Sequence, residues 1–371
     1  MKTLLFCFVL GCLFSCSNFV NTEDILERGI EKADKNDYKG AIEDFTLLIE
    51  ANPNDALAYT ERGFANCVLG NYEVARSDLN KALELSPQSH RAHNSLGVLF
   101  SDLGEEQSAI ESYTTAIDLK PNLATLYYNR SISYAALGNY EAAFADLDAA
   151  IELDEKDPDF FYQKGVVYHE MNAYDLSIGE FNTTIELDST YFDALLSRGD
   201  ARDAMANFPA AIKDYNRFIE LCPKRPIGYN NRGYTFSKMG NYEAALQDFD
   251  KAIELDPEYD LAYLNKGDVK AELGTYQEAI ELYQQVLQME TDSFLALSSL
   301  ADVYELTKDY PSAIQCYNQI IKIEKVYGED YLARGLLYIK VEEKEKACLD
   351  FEMAVELEEE EATQALEKYC Q

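Results

Sequence analysis

Tryptophan is missing from the 371 residues, and histidine occurs only three times. Basic side chains are scarce as well: 32 Lys and Arg stand against 67 Asp and Glu, a formal net charge of −35. A surface this acidic repels phosphate backbones, which demand clustered Lys and Arg, so nucleic acid is not an expected partner. Eight Cys in this length are too sparse for a disulfide scaffold. His90 and His93 lie three apart, but no carboxylate or Cys at ligand spacing accompanies them, so no metal site is assigned. His169 reads as polar lining rather than a base. There is no Gly-rich phosphate cradle and no Gly-x-Ser-x-Gly elbow, so no catalytic residue and no cofactor are assigned either. No apolar run reaches the roughly 20 residues that a membrane-spanning helix needs. What is present, 47% apolar and 27% charged residues, has the proportions of a folded chain.

The longest apolar run is N-terminal. Met1-Lys2 precedes Leu4 to Phe14, a positive charge followed by a short apolar segment, which is the layout of an export signal. The run closes on Leu13-Phe14-Ser15-Cys16, which resembles the bacterial lipobox, with Phe14 bulkier than that pattern favours. The resemblance implies cleavage before Cys16 and lipidation of its sulfur and new amine, giving a signal over 1–15 and a tether over 16–21. Ser17, in place of the Asp that holds many such proteins at an inner membrane, points to the outer membrane or periplasm. The other readings are a plain secretory signal cut near Ser15 or a buried N-terminal helix.

From residue 22 onward the chain repeats itself every 34 residues, without insertion, through residue 361. Position 8 of each copy is Gly29, Gly63, Gly97, Ser131, Gly165, Gly199, Gly233, Gly267, Ala301 and Gly335. Position 20 is Ala in every copy but one, where it is Ser177, and position 24 is large and apolar or Tyr, from Phe45 to Phe351. Each copy reads as two helices whose backbones approach at the small residues, with position 24 filling the space beside them. Gly or Asn at position 15 (Asn36, Gly70, Gly104, Gly138, Asn172, Gly240, Gly274) ends the first helix. Asp37, Asn71, Asn139, Asn207, Asn241 and Asp309 are expected to cap the second. Pro53, Pro87, Pro121, Pro223 and Pro257 stop it.

A 34-residue helix pair with these landmarks resembles the tetratricopeptide repeat family, and so do the aromatics Tyr59, Tyr127, Phe161, Tyr229, Tyr263 and Tyr331 at position 4. The resemblance implies an all-α, right-handed superhelical solenoid of ten repeats over 22–361, with 362–371 as a capping helix. His93 departs from the aromatic pattern. Lys32, Asn66, Arg202 and Lys270 replace an apolar residue at position 11, so those repeats are expected to pack less tightly.

Comparing the copies with one another exposes a covariation. Position 7 is basic where position 23 is acidic: Arg28 with Asp44, Arg62 with Asp78, Arg130 with Asp146, Arg198 with Asp214, Arg232 with Asp248, Arg334 with Asp350, and Lys164 with Glu180. Both charges vanish together in Leu96/Ser112 and Leu300/Cys316, and only Lys266/Leu282 breaks the rule. The pattern predicts structural ion pairs between the two helices of a repeat, bidentate where Arg is used. The competing reading is a solvated charge on a snorkelling stem.

A second stripe on the first helix, at positions 2, 5, 9, 12 and 13, would line the family's concave, ligand-binding surface. Its candidate contacts are Phe64, Asn94, Val98, Tyr128, Ile132, Tyr162 and Val166, then Asn230, Tyr234 and Asp268. Acidic members of the stripe, among them Asp200, Asp203, Glu272, Asp302 and Glu305, far outnumber the basic Arg91, Lys238 and Lys340. An apolar, Tyr-bearing groove with acidic flanks suits a basic, amphipathic segment of another protein. Packing between adjacent helices is the alternative role for any single member. The Lys/Asn clamp by which some family members grip chaperone C-termini has no counterpart, which argues against a cytosolic co-chaperone. The expected role is a non-enzymatic scaffold or adaptor of the bacterial cell envelope, joined to a membrane only by its lipid. The alternatives are that co-chaperone or an accessory subunit presenting a substrate to a separate enzyme. Cys67, Cys222, Cys316, Cys348 and Cys370, an odd number without short pairing, are expected to be free, mostly buried thiols. The sequons at Asn129 and Asn182 fall inside helices and carry little meaning in a bacterium.

Overall fold

The computed structural model describes residues 22–323 and 327–370; the signal, the tether and Cys16 lie outside the described residues. The described residues are all-α, with 21 helices and no strand. Helices α1 to α10 span Thr22–Asp34, Tyr38–Ala51, Ala56–Val68, Tyr72–Leu85, His90–Asp102, Glu106–Leu119, Ala124–Ala136, Tyr140–Leu153, Pro158–Glu170 and Tyr174–Leu187. Helices α11 to α20 span Phe192–Ala204, Phe208–Leu221, Pro226–Lys238, Tyr242–Leu255, Asp260–Glu272, Tyr276–Met289, Phe294–Leu306, Tyr310–Ile320, Gly328–Lys340 and Lys344–Glu356. A last helix, α21, covers Glu360–Tyr369. Every odd-numbered helix from α1 to α19 starts at the first position of a 34-residue copy, so each copy is one helix hairpin.

The turn within each hairpin is the same device repeated. Position 15 has a left-handed φ in every copy, at Gly, at Asn36 and Asn172, and also at Ala206, Lys308 and Glu342. The amide of position 16 then donates to the carbonyl of position 11, as in Asn71 to Asn66 (2.8 Å) and Asn241 to Phe236 (2.9 Å), closing the first helix. Asp37, Asn139, Asn241 and Asp309 cap the second helix with their side chains. Asn71 and Asn207 do not. Asn71 turns its amide to Asn66 instead (3.1 Å), and Asn207 faces Pro209, which has no N–H to offer in the first turn.

Positions 8 and 24 meet inside each hairpin. A Cβ placed on Gly267 would lie 2.5 Å from the Tyr283 ring, and one on Gly335 equally close to Phe351, so bare backbone is required there. Position 20 Ala is fully buried beside them. The residues form two compact units, one ending at Val167 and the other starting at Tyr168. The larger core of the second unit gathers Tyr283, Leu297, Leu300, Cys316, Tyr317 and Ile320. Leu300 and Cys316 there replace the ion pair of other copies with an apolar contact.

The second unit ends on α21, whose Ala362 and Ala365 pack on Phe351, Ala347 and Ala354 of α20. The Phe351 and Tyr369 rings stack with centroids 6.1 Å apart. Cys348 and Cys370 are joined by a disulfide, Cα to Cα 5.7 Å, which corrects the expectation that both are free. They lie 22 residues apart in the chain, and the packing of α21 on α20 brings them together. Cys67, Cys222 and Cys316 are free.

Candidate protein-binding groove

The helix pairs are locked by the position 7 and position 23 side chains. Arg62, Arg130, Arg198, Arg232 and Arg334 each donate Nε and Nη2 to the two oxygens of Asp78, Asp146, Asp214, Asp248 and Asp350, at 2.6–3.0 Å. Arg28 grips Asp44 the same way. All six Asp are buried. The Arg side chains are 14–21% exposed, except Arg28 at 51%.

Sequence comparison missed a third partner. Each cation also reaches position 25 of the preceding copy: Arg62 to Thr46, Arg130 to Thr114, Arg198 to Asn182, Arg232 to Asn216 and Arg334 to Asn318. Where the cation is Lys, that position is an acid: Lys164 donates to Asp148 (2.8 Å) and Lys266 to Asp250 (2.5 Å). Lys266 is therefore not an exception without a partner; its acid lies one repeat back. Aligning position 25 against position 7 of the next copy would have revealed this. The polar residues at position 11 find partners as well. Lys32 and Arg202 add a second cation to Asp44 and Asp214, Lys270 pairs with Glu278, and Asn66 donates to the Arg62 carbonyl. His93 sits with Nε2 3.0 Å from the Pro87 carbonyl, the place where the Tyr127, Tyr229 and Tyr263 hydroxyls meet Pro121, Pro223 and Pro257.

With the hairpins fixed, the odd-numbered helices leave one face uncovered by their partners. In the first unit Phe64, Asn94, Val98, Tyr128, Ile132, Tyr162 and Val166 are half-buried on it. Several also pack: Val98 against the cluster formed by Cys67, Ala75, Leu79 and Leu99, and Tyr128 against Phe160 with ring centroids 5.4 Å apart. Burial and the neighbouring Asp159 push the Tyr128 hydroxyl up to about 12. Asn94 accepts from Asn129 (3.0 Å). In the second unit Asn230 is buried and its amide is spent on Asn231 and Asn265, so it braces neighbouring repeats rather than facing solvent. Tyr234 is exposed, with the Lys238 ammonium 4.5 Å above its ring and bonded to Asp203 (2.6 Å).

Also within the second unit, a cleft of about 530 Å³ opens between α15 and α17, lined by Asp268, Ala271, Glu272, Tyr276, Tyr283, Ser299, Asp302, Val303 and Leu306. No Lys or Arg lines it. The buried Tyr283 hydroxyl donates to Asp268 (2.8 Å), as Tyr215 does to Asp200 (2.8 Å). Asp268 keeps an outer edge open to solvent, yet burial of its carboxylate raises its pKa, and burial likewise raises those of Asp200, Asp302 and Glu305. Of the ten groove candidates the structure brings only Asp268 to this cleft. The pairing of Tyr at position 24 with Asp at position 9, present in Tyr215/Asp200, Tyr283/Asp268 and Tyr317/Asp302, was readable in the sequence and went unread.

Models of the tetratricopeptide repeat match residues 68–124, 226–259 and 258–325, and a model described as TPR repeat matches 132–172. The chain belongs to the tetratricopeptide repeat family. No curated protein matches it. Among solved structures, this tetratricopeptide chain is similar to yeast Tom70, at 14% identity, with 94% of this chain and 95% of that one covered and a TM-score of 0.54. It is also similar to Pseudomonas aeruginosa pilF, at 22% identity, covering 58% of this chain and 97% of that one with a TM-score of 0.50. Both likenesses concern the tetratricopeptide fold.

Proposed function

We propose that the protein is a non-catalytic scaffold that holds a basic, amphipathic segment of another protein in a groove on the odd-numbered helices of its second unit, tethered by lipid at Cys16 in a bacterial envelope. The observation that carries the reading is the cleft between α15 and α17. Three acids there, Asp268, Glu272 and Asp302, meet apolar walls from Ala271, Val303 and Leu306, with no cation among its lining residues. Carboxylates held partly out of water beside apolar surface favour a ligand that brings both a positive charge and hydrocarbon. Taken by itself, the first unit offers in Tyr128, Tyr162 and their apolar neighbours a surface of the kind that binds the hydrophobic side of a segment.

Two experiments test the two halves. In a pulldown of envelope proteins, Asp268→Asn with Asp302→Asn should abolish capture while the helical circular dichroism signal stays intact; undiminished capture would remove the cleft from the reading. Metabolic labelling with a palmitate analogue should mark the wild type and miss Cys16→Ala. Label retained in that variant would end the lipid assignment.

A further inference from the structure

We infer that a recess in the α11–α12 hairpin, beside Leu195, is a second binding site, which takes one tyrosine ring from an acidic segment of another protein. Position 4 is aromatic in six of the ten copies. Where it is tyrosine, the ring crosses to the copy before it. The Tyr127, Tyr229 and Tyr263 hydroxyls donate to carbonyls at position 32 of that copy, at 3.1–3.3 Å. The position 7 guanidinium lies over the same ring, with Arg62 5.7 Å from the Tyr59 centroid and Arg232 5.7 Å from that of Tyr229.

Copy six keeps the guanidinium, as Arg198, and faces Ser189 at position 32 of copy five, but its position 4 is only Leu195. A cavity of about 530 Å³ is left there, with Ile185, Ser189, Leu195 and Arg198 in its walls. The equivalents of these residues surround the ring elsewhere, as Ile117 packs beside Tyr127. Phe192, one turn earlier, turns to Phe218 instead, with ring centroids 6.2 Å apart and Arg225 over both rings.

The rim of the recess reverses the sign of the molecule. From Arg198 to Lys238 the chain carries eight Lys and Arg against four Asp and Glu. Lys213 and Arg217, one turn apart on α12, stand at the mouth of the cavity. Lys213 is exposed and enters no ion pair among the described residues. Of the acids in the wall, Asp214 is already held by Arg198 and Arg202, and Glu220 is exposed beside Arg217 (2.8 Å). A tyrosine within an acidic segment meets all three features: the apolar recess, the guanidinium that covers a ring in other copies, and the positive rim. Leu297 makes the same change in copy nine, but Gln315 and Gln319 stand there in place of Lys213 and Arg217. None of these positions belongs to the groove stripe, so the site is separate from the acidic cleft and takes a ligand of opposite charge.

Fluorescence anisotropy on the full chain tests the site with two labelled peptides, Glu-Glu-Tyr-Glu-Glu and Glu-Glu-Ala-Glu-Glu. The tyrosine peptide should bind at least about tenfold more tightly, the size expected for burying one aromatic ring. Leu195→Tyr fills the recess from within and should abolish that preference without lowering the melting temperature. Lys213→Ala/Arg217→Ala should weaken both peptides and flatten their salt dependence. Asp268→Asn/Asp302→Asn should weaken neither. Equal binding of the two peptides to the wild type, an undiminished preference in Leu195→Tyr, or a lower melting temperature for that variant would each overturn the site. Displacement of the tyrosine peptide by an equal concentration of 4-hydroxyphenylpropionate would overturn its assignment to a protein segment.

Discussion

A buried aspartate has one way to remain charged, which is to keep its cation. Asp146 is 5% exposed and depends on Arg130, because position 11 of that copy is the neutral Tyr134. Arg130→Ala should cost about 3 kcal/mol, since it strands a buried charge. Asp44 and Asp214 each keep a second cation in Lys32 or Arg202, so Arg28→Ala and Arg198→Ala should cost clearly less. Lys266→Ala should cost least, about 0–1 kcal/mol, because its partner Asp250 is 62% exposed. Thermal melts of the four variants rank them; equal losses would refute the pairing as the source. Glycine gives a matched contrast. Gly267→Ala drives a methyl into the Tyr283 ring and should destabilise by about 1–3 kcal/mol. Gly179→Ala, in the exposed middle of α10 with open space around it, should stabilise by up to about 1 kcal/mol.

At the level of the helix hairpin, conformation rather than identity is what repeats. The left-handed residue at position 15 appears in every copy, including three where the side chain is neither Gly nor Asn. Those three were invisible to a search for helix-ending residues, because the hairpin's own closing bonds, such as Asn207 N–H to the Arg202 carbonyl, hold the turn against local preference. Ala206→Gly and Lys308→Gly should each relieve that imposed conformation and raise stability by roughly 0.5–1 kcal/mol in chemical denaturation. A loss in either variant would mean that the side chain contributes contacts beyond the turn. The hairpins themselves were legible because small residues at 8 and 20 against a large one at 24 admit one packing solution, and ten copies state it. The links between hairpins were harder to read. The bond from position 7 back to position 25 crosses from one copy to the previous one, and within-copy comparison cannot see it. The same blindness hid Cys348 and Cys370, which become neighbours only when one helix is laid on the next.

For the whole molecule, charge is the property that most restricts partners. Acidity read from composition alone said what the chain should avoid, but not where a ligand sits. That needed burial, because most of the acids are solvated and only a few stand at a cleft wall with raised pKa. Asp268 was read as a groove residue for its position in the stripe, while Ser299 beside it carried no periodic signal and Tyr276, at a position that is aromatic in most copies, was not marked out from its equivalents. The raised pKa values of Asp268 and Asp302 give the proposed function a pH signature. A carboxyl whose folded pKa is raised takes up its proton at a higher pH than an ordinary one, which titrates near about 4. Charge at the cleft should therefore be lost on mild acidification, before the rest of the surface is neutralised. Binding of a Lys/Arg-bearing amphipathic peptide, followed by fluorescence anisotropy, should weaken as pH falls through that window and weaken again with added salt. In Asp268→Asn/Asp302→Asn the peptide should bind weakly at neutral pH and respond little to mild acidification. A wild-type affinity that holds steady down to the ordinary carboxylate range would mean that the cleft acids do not meet the ligand.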